Sequence, residues 1–242
     1  MKVGVLGSNG RMGTASCAAV DAADDMELVA RIASKDDLDA LVAGGAGVAI
    51  EFTTPDSVME NVRFLTTNSI HAVVGTTGLD ADRLKTIGSW TEETGTNVFV
   101  APNFALGAVL MMHFATQAAA HYDAAEIVER HHPGKLDSPS GTSLRTALLM
   151  AGAHDGPFEA LGVAAGHEGA PGEKHHGVTI HSLRLPDSVA HQEVVFGGSG
   201  ETLSIRHDSL DRTSFMPGVL MAVRKVSSLP GLTVGLERLL DL

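Results

Sequence analysis

Two adjacent histidines, His131 and His132, stand just beyond a short β-type run, Glu126-Ile127-Val128-Glu129. Lys135 follows four residues after His131, and Asp137-Ser138-Pro139-Ser140-Gly141-Thr142 then reads as a turn that opens a helix. Proton donors, a cation and a helix N-terminus therefore share the eighteen residues 126–143. Histidine, as a residue type, titrates near neutral pH and can hold a proton for transfer. Lysine offers a point charge for a carboxylate. The first helical turn offers backbone N–H groups, and the Thr142 hydroxyl adds a donor. The combination suits a small, doubly anionic substrate that must receive a proton. Which histidine moves the proton stays open, since the two are neighbours. No metal is expected there: adjacent strand residues point to opposite faces, and no Cys or acid stands at ligand spacing.

A second chemical feature opens the chain. Gly7-Ser8-Asn9-Gly10-Arg11-Met12-Gly13 lies between the β-type run Val3-Gly4-Val5-Leu6 and a small-residue helical stretch, 14–21. The spacing is GxxGxxG, with Ser8 where the first glycine of GxGxxG would stand. A strand, a glycine loop and a helix start form the context of a dinucleotide site. Glycine lets the backbone approach a pyrophosphate, and the helix end attracts its charge. The second strand runs into Arg31-Ile32-Ala33-Ser34-Lys35, with acids only at Asp36 and Asp37. Ser34 is a candidate cofactor contact. Arg11, Arg31 and Lys35 suit a 2′-phosphate, so NADPH is expected to serve at least as well as NADH. The plainer alternative makes Arg31 and Lys35 solvated charges.

These features need a frame. Apolar runs at 3–6, 27–30, 47–52, 71–74 and 97–100 alternate with helical stretches such as 57–66 and 79–91. Strands buried on both faces, each followed by a helix, give a Rossmann-like parallel α/β sheet. After Ala101-Pro102-Asn103-Phe104 the pattern changes. A longer helix, 106–121, is followed by the histidine loop, its helix at 142–153, and clustered strands at 178–185, 189–196 and 202–207. Gly197-Gly198-Ser199-Gly200 is the expected hairpin turn, and 152–177 an exposed loop whose His167, His175 and His176 have no assigned role. The strands imply a second α+β domain with an open mixed sheet, which a partner subunit would cover. Helix 216–227 and the apolar tail 232–242 should return to the first domain. The expected division is 1–104 with 214–242 for the dinucleotide, and 105–213 for substrate and oligomerisation.

Composition narrows the class. A formal net charge of −12 over 242 residues argues against nucleic acid and against an anionic membrane surface. No apolar run approaches the roughly 20 residues of a membrane helix. Cys17 is the only cysteine, so no internal disulfide forms, which suits the cytoplasm. Strand-like residues begin at Val3, so a signal peptide is not expected.

The segment Glu126 to Thr142, with Gly75-Thr76-Thr77-Gly78, Ala101-Pro102-Asn103-Phe104 and the glycine start, resembles the 4-hydroxy-tetrahydrodipicolinate reductase (dihydrodipicolinate reductase) family, actinobacterial members most closely. The resemblance runs from Lys2 to the C-terminus. It implies NAD(P)H-dependent reduction of 4-hydroxy-tetrahydrodipicolinate in diaminopimelate and lysine biosynthesis, by a homotetramer. It makes His131 the proton donor and Lys135 a second proton-donating and substrate-holding group. His132 would touch substrate, and Gly141 and Thr142 would bind a carboxylate. Cofactor contacts would come from Gly7, Ser8, Asn9, Gly10, Arg11 and Met12, from Gly75, Thr76 and Thr77, and from Pro102, Asn103, Phe104 and Ala105. The chain departs from the family pattern at 166–169, which lacks an arginine, at Pro186 in place of glycine, and at Glu51 in place of aspartate. Thr54 stands where relatives often carry His or Arg. One competing reading is another two-domain nicotinamide oxidoreductase, although the Lys135 to Thr142 loop speaks against a neutral sugar. A non-catalytic dinucleotide sensor would need a basic surface that this composition does not offer.

Overall fold

Short apolar strands in a parallel sheet need helices on both faces. The computed structural model, which describes residues 1–156, 158, 172–240 and 242, supplies them. The chain forms two compact units, Met1–Leu106 with Arg212–Leu242, and Gly107–Asp211.

The first unit runs β1 (Lys2–Leu6), α1 (Arg11–Asp21), β2 (Glu27–Ile32), α2 (Asp39–Ala43), β3 (Val48–Glu51), α3 (Val58–Thr67), β4 (His71–Val74), α4 (Ala81–Thr94) and β5 (Val98–Val100). Every residue of β3 and β5 is buried. Leu41, Val58, Val62, Leu65 and Ile87 of the helices pack into one core with the strands. All pairings are parallel, and β1 lies between β2 and β3. The strand order therefore reverses at β1, and the carboxyl ends of β1 and β3 flank the crevice where open α/β sheets bind ligands.

The second unit runs α5 (Leu106–Ala119), β6 (Ala124–His131), α6 (Gly141–Ala153), β7 (Glu173–His175), β8 (Val178–Arg184), β9 (Ala190–Gly198) and β10 (Glu201–Ser209). The order is β10-β9-β6-β8-β7. Only β6 and β8 are parallel, so the sheet is mixed. Ile127, Ile180, Val194 and Phe196 point to one face and pack with Ala115 and Ala119 of α5 and Ala147 and Met150 of α6. The strands alternate in burial, as a half-covered sheet requires. The opposite face carries His181 paired with Glu126, and Asp208 paired with both His191 and Arg206.

The chain then returns through α7 (Met216–Lys225) to β11 (Leu232–Val234), which joins the first sheet beside β5. Asn97 fastens the return. Its amide donates to the carbonyls of Val226 and Ser227, and its side-chain oxygen accepts from the Gly231 N–H.

Two local expectations change. The hairpin turn is tighter than its four-residue signal, because Gly197 and Gly198 pair opposite Thr202 and Glu201 and only Ser199-Gly200 turn. Cross-strand pairing overrides the weak strand preference of glycine there. Within 152–177, Glu173–His175 is a strand on β8, turned by His176 and Gly177, both at positive φ. His167 and the rest of 159–171, with the departure at 166–169, lie outside the described residues. The short α2 had no sequence signal beyond Leu41, its one buried residue.

Candidate active site

The first unit holds a groove of ≈ 590 Å³ at the β1/β3 crevice. Gly7, Asn9, Gly10 and Ser34 line it, with Ala33, Asp36, Phe52, Thr53, Thr54 and Asn61. Gly7 has φ +75°, and a Cβ there would come within 2.0 Å of the Phe52 carbonyl oxygen. A Cβ on Gly13 would meet the Gly7 carbonyl oxygen at 2.0 Å. The loop is thus drawn against β3 and α1 more closely than any side chain allows, and the N-terminus of α1 is brought to the groove. The N-cap, Gly10, makes no side-chain capping bond. These residues fit a dinucleotide: a backbone cradle at a helix N-terminus, with a polar far wall.

The other expected cofactor residues distribute along the same sheet edge. Ser8 is buried, and Arg11 and Met12 begin α1. Gly75, Thr76 and Thr77 follow β4, and the Thr76 hydroxyl accepts from the Thr53 N–H at 2.8 Å, tying that loop to the groove wall. Pro102 to Ala105 follow β5. Phe104 is buried and packs edge-on against Phe52, whose ring leaves no space for a Cβ on Gly75. Asn103 accepts from the Ala105 N–H.

One cation near the glycine loop, Arg212, carried no functional signal. Arg212 lies in a 3₁₀ turn that packs on α1. Burial and the nearby Arg11 charge hold its pKa below the usual guanidinium value. Two cations held together favour an anion beside them. Arg31 is paired with Asp21 at 2.6 Å, and the Asp36 carboxylate accepts from the Ala33 N–H at 2.8 Å where it lines the groove. Glu51 is fully buried, accepting from Asn61 at 3.1 Å and from Thr53.

In the second unit the loop after β6 gathers the other candidates. His131 ends the strand with its Nδ1 2.5 Å from the Glu129 carboxylate. Glu129 is fully buried and also takes Arg184 Nη1 at 3.0 Å on each oxygen. Burial pushes the Glu129 pKa up, but His131, Ser182 and Arg184 together outweigh it, and the carboxyl sits below its ordinary value. The loop folds back through the Lys135 N–H to the His132 carbonyl. Lys135 Nζ lies 2.8 Å from Asp137, which also accepts from the Gly141 N–H at 3.3 Å. Burial raises the Asp137 carboxyl, and Lys135 more than offsets it.

Ser140 caps α6 by accepting from the Ser143 N–H. Ser143 donates to Gln192 at 2.8 Å, and Gln192 donates to Thr146 at 2.7 Å. This buried polar chain fixes the helix start, and Gly141 and Thr142 with it, against β9. His131, Lys135, Gly141 and Thr142 thus share one loop–helix junction. Glu129, Arg184 and Asp137 were not singled out by sequence. An acid on the same strand face as Ala125 and Ile127 was the available signal for Glu129.

The family profile described as dihydrodipicolinate reductase, N-terminus, matches residues 1–104, and that described as dihydrodipicolinate reductase, C-terminus, matches 107–240. The chain belongs to the dihydrodipicolinate reductase family. The 4-hydroxy-tetrahydrodipicolinate reductases of Mycolicibacterium smegmatis and Mycolicibacterium vanbaalenii are 54% and 53% identical to it, each over the full length of both chains. A dipicolinate-bound dihydrodipicolinate reductase from Paenisporosarcina superposes with a TM-score of 0.85 at 35% identity, covering 98% of each chain. A probable dehydrogenase from Thermotoga maritima, at 14% identity and a TM-score of 0.63, shares the fold alone. Among the described residues, no helix of this family member is long and apolar enough to cross a membrane.

Proposed function

We propose that this chain reduces 4-hydroxy-tetrahydrodipicolinate to tetrahydrodipicolinate with a nicotinamide cofactor, as a step towards diaminopimelate and lysine in the cytoplasm. The observation that carries the reading is the junction of His131, Lys135, Gly141 and Thr142, set in a chain 54% identical throughout to a reductase of that name. Replacing C–OH by C–H consumes one hydride and one proton and releases water. Bound NAD(P)H supplies the hydride. His131 donates the proton, and Lys135 assists it and holds a substrate carboxylate. The Gly141 and Thr142 N–H groups and the Thr142 hydroxyl take that carboxylate from the helix side. His132 makes a supporting contact.

The glycine cradle at the start of α1 would hold the pyrophosphate, flanked by Arg11. Asp36 can accept from a ribose 2′-OH, whereas Arg11, Arg31 and Lys35 favour a 2′-phosphate. Arg11 and Lys35, with Arg31 partly neutralised by Asp21, stand against Asp36 and Asp37, and on these cations the chain is expected to use NADPH at least as well as NADH. NADPH and NADH oxidation with enzymatically generated 4-hydroxy-tetrahydrodipicolinate tests both points. Turnover is expected, with kcat/KM for NADPH at or above that for NADH. No turnover overturns the function, and a strong preference for NADH overturns the cofactor assignment alone.

The second unit's sheet supports a homotetramer. Its face opposite α5 and α6 places Val128, Val195 and Leu183 among paired charges, and Leu183 is exposed. Sedimentation at micromolar concentration should give four copies, and a monomer there removes the assembly.

A further inference from the structure

We propose that Glu129 is a positioning residue for the proton transfer, and that Arg184 keeps it ionised so that the proton leaves from His131 Nε2. The inference rests on His131 being the donor.

An ionised carboxylate can only accept hydrogen bonds. Glu129, 2.5 Å from His131 Nδ1, therefore holds the proton of that nitrogen, and Nε2 becomes the atom that gains and loses one. A buried carboxylate is costly unless paired. When His131 becomes neutral, Glu129 must still hold its charge or it will draw the Nδ1 proton. Arg184 guards against that. Its Nη1 bonds both Glu129 oxygens, while its Nη2 donates to the Asp137 carbonyl at 2.7 Å. One guanidinium thus ties β8 to the floor of the proton donor and to the loop that carries Lys135. The parallel register of β6 and β8 sets this up by placing Arg184 opposite His131.

The surroundings add little competing charge. β9 places neutral Gln192 and β8 places Ser182 opposite Glu129, and α6 contributes Ser143 and Thr146, while its one charged residue, Arg145, is exposed. α5 carries no Asp, Glu, Lys or Arg, and one histidine, His113. His132 follows in the chain, and Lys135 is matched by Asp137.

The test is the pH profile of kcat in variants whose folding is checked by thermal melting. Glu129→Gln removes the anion beside the imidazole, so the alkaline limb should move to lower pH. Its kcat should fall by about 10²-fold or more, since an amide can also hold the wrong tautomer. Arg184→Met removes the cation, so the limb should move up. Glu129→Asp should return the limb towards the parent. Limbs that stay in place while activity falls, or that move together, would show mere structural support and overturn the inference. Should the variants not fold, ¹⁵N NMR of the parent decides: neutral His131 carrying its proton on Nδ1 is expected, and on Nε2 refutes it. If His131→Ala keeps full kcat, the underlying reading fails instead.

Discussion

Replacing His131 by Ala is expected to lower kcat by about 10²–10⁴-fold, the usual worth of a positioned general acid, while KM for substrate rises only a few-fold. The asymmetry follows from what His131 holds. Its ring is tied through Nδ1 to a fully buried carboxylate, so it is built into the sheet end rather than free to follow a ligand. Substrate charge falls to Lys135 and the start of α6 in the proposed scheme. Loss of the imidazole therefore removes a group needed when the proton moves and little of what holds the ground state. His132→Ala, measured in parallel, separates the neighbours. If His132 were the donor, its variant would lose kcat and His131→Ala would keep it. Steady-state kinetics at saturating cofactor give the answer, and an unchanged kcat in His131→Ala takes that residue out of the mechanism.

The frame around this site was legible where burial on both faces writes a continuous apolar run, as in Val48-Ala49-Ile50 and Ala72-Val73-Val74. Glu173-Lys174-His175 was not, because no apolar residue marks it and only backbone pairing with β8 makes it a strand. The same divide runs through the site. His131, Lys135 and Gly141 lie between the end of β6 and the start of α6, so their spacing alone was enough to propose them as one site. Arg184 reaches Glu129 across 55 positions through a parallel register, and a linear pattern contains no trace of that pairing. Asp137 stood in plain view, but its bonds to both Lys135 and Gly141 depend on how tightly the loop closes.

That closure bears on the second large effect. Lys135→Met should raise KM for substrate by roughly 10- to 100-fold, because a charge-assisted hydrogen bond is worth about 1.5–3 kcal/mol. Lys135 is mostly shielded from solvent, its side chain only 22% exposed, so water screens the interaction less than on an open surface. Asp137 lies against both Lys135 Nζ and the Gly141 N–H, two donors assigned to the substrate carboxylate. The loop thus already has the form of a carboxylate clamp, and a substrate carboxylate must share it with Asp137 or replace Asp137. Lys135→Arg then divides the two roles given to the lysine. Arginine keeps the charge but does not release a proton in this range. Recovery of KM with kcat still depressed would mark Lys135 as a proton donor as well as a clamp. Recovery of both would leave it a clamp alone. An unaltered KM in Lys135→Met would mean that the carboxylate is held elsewhere.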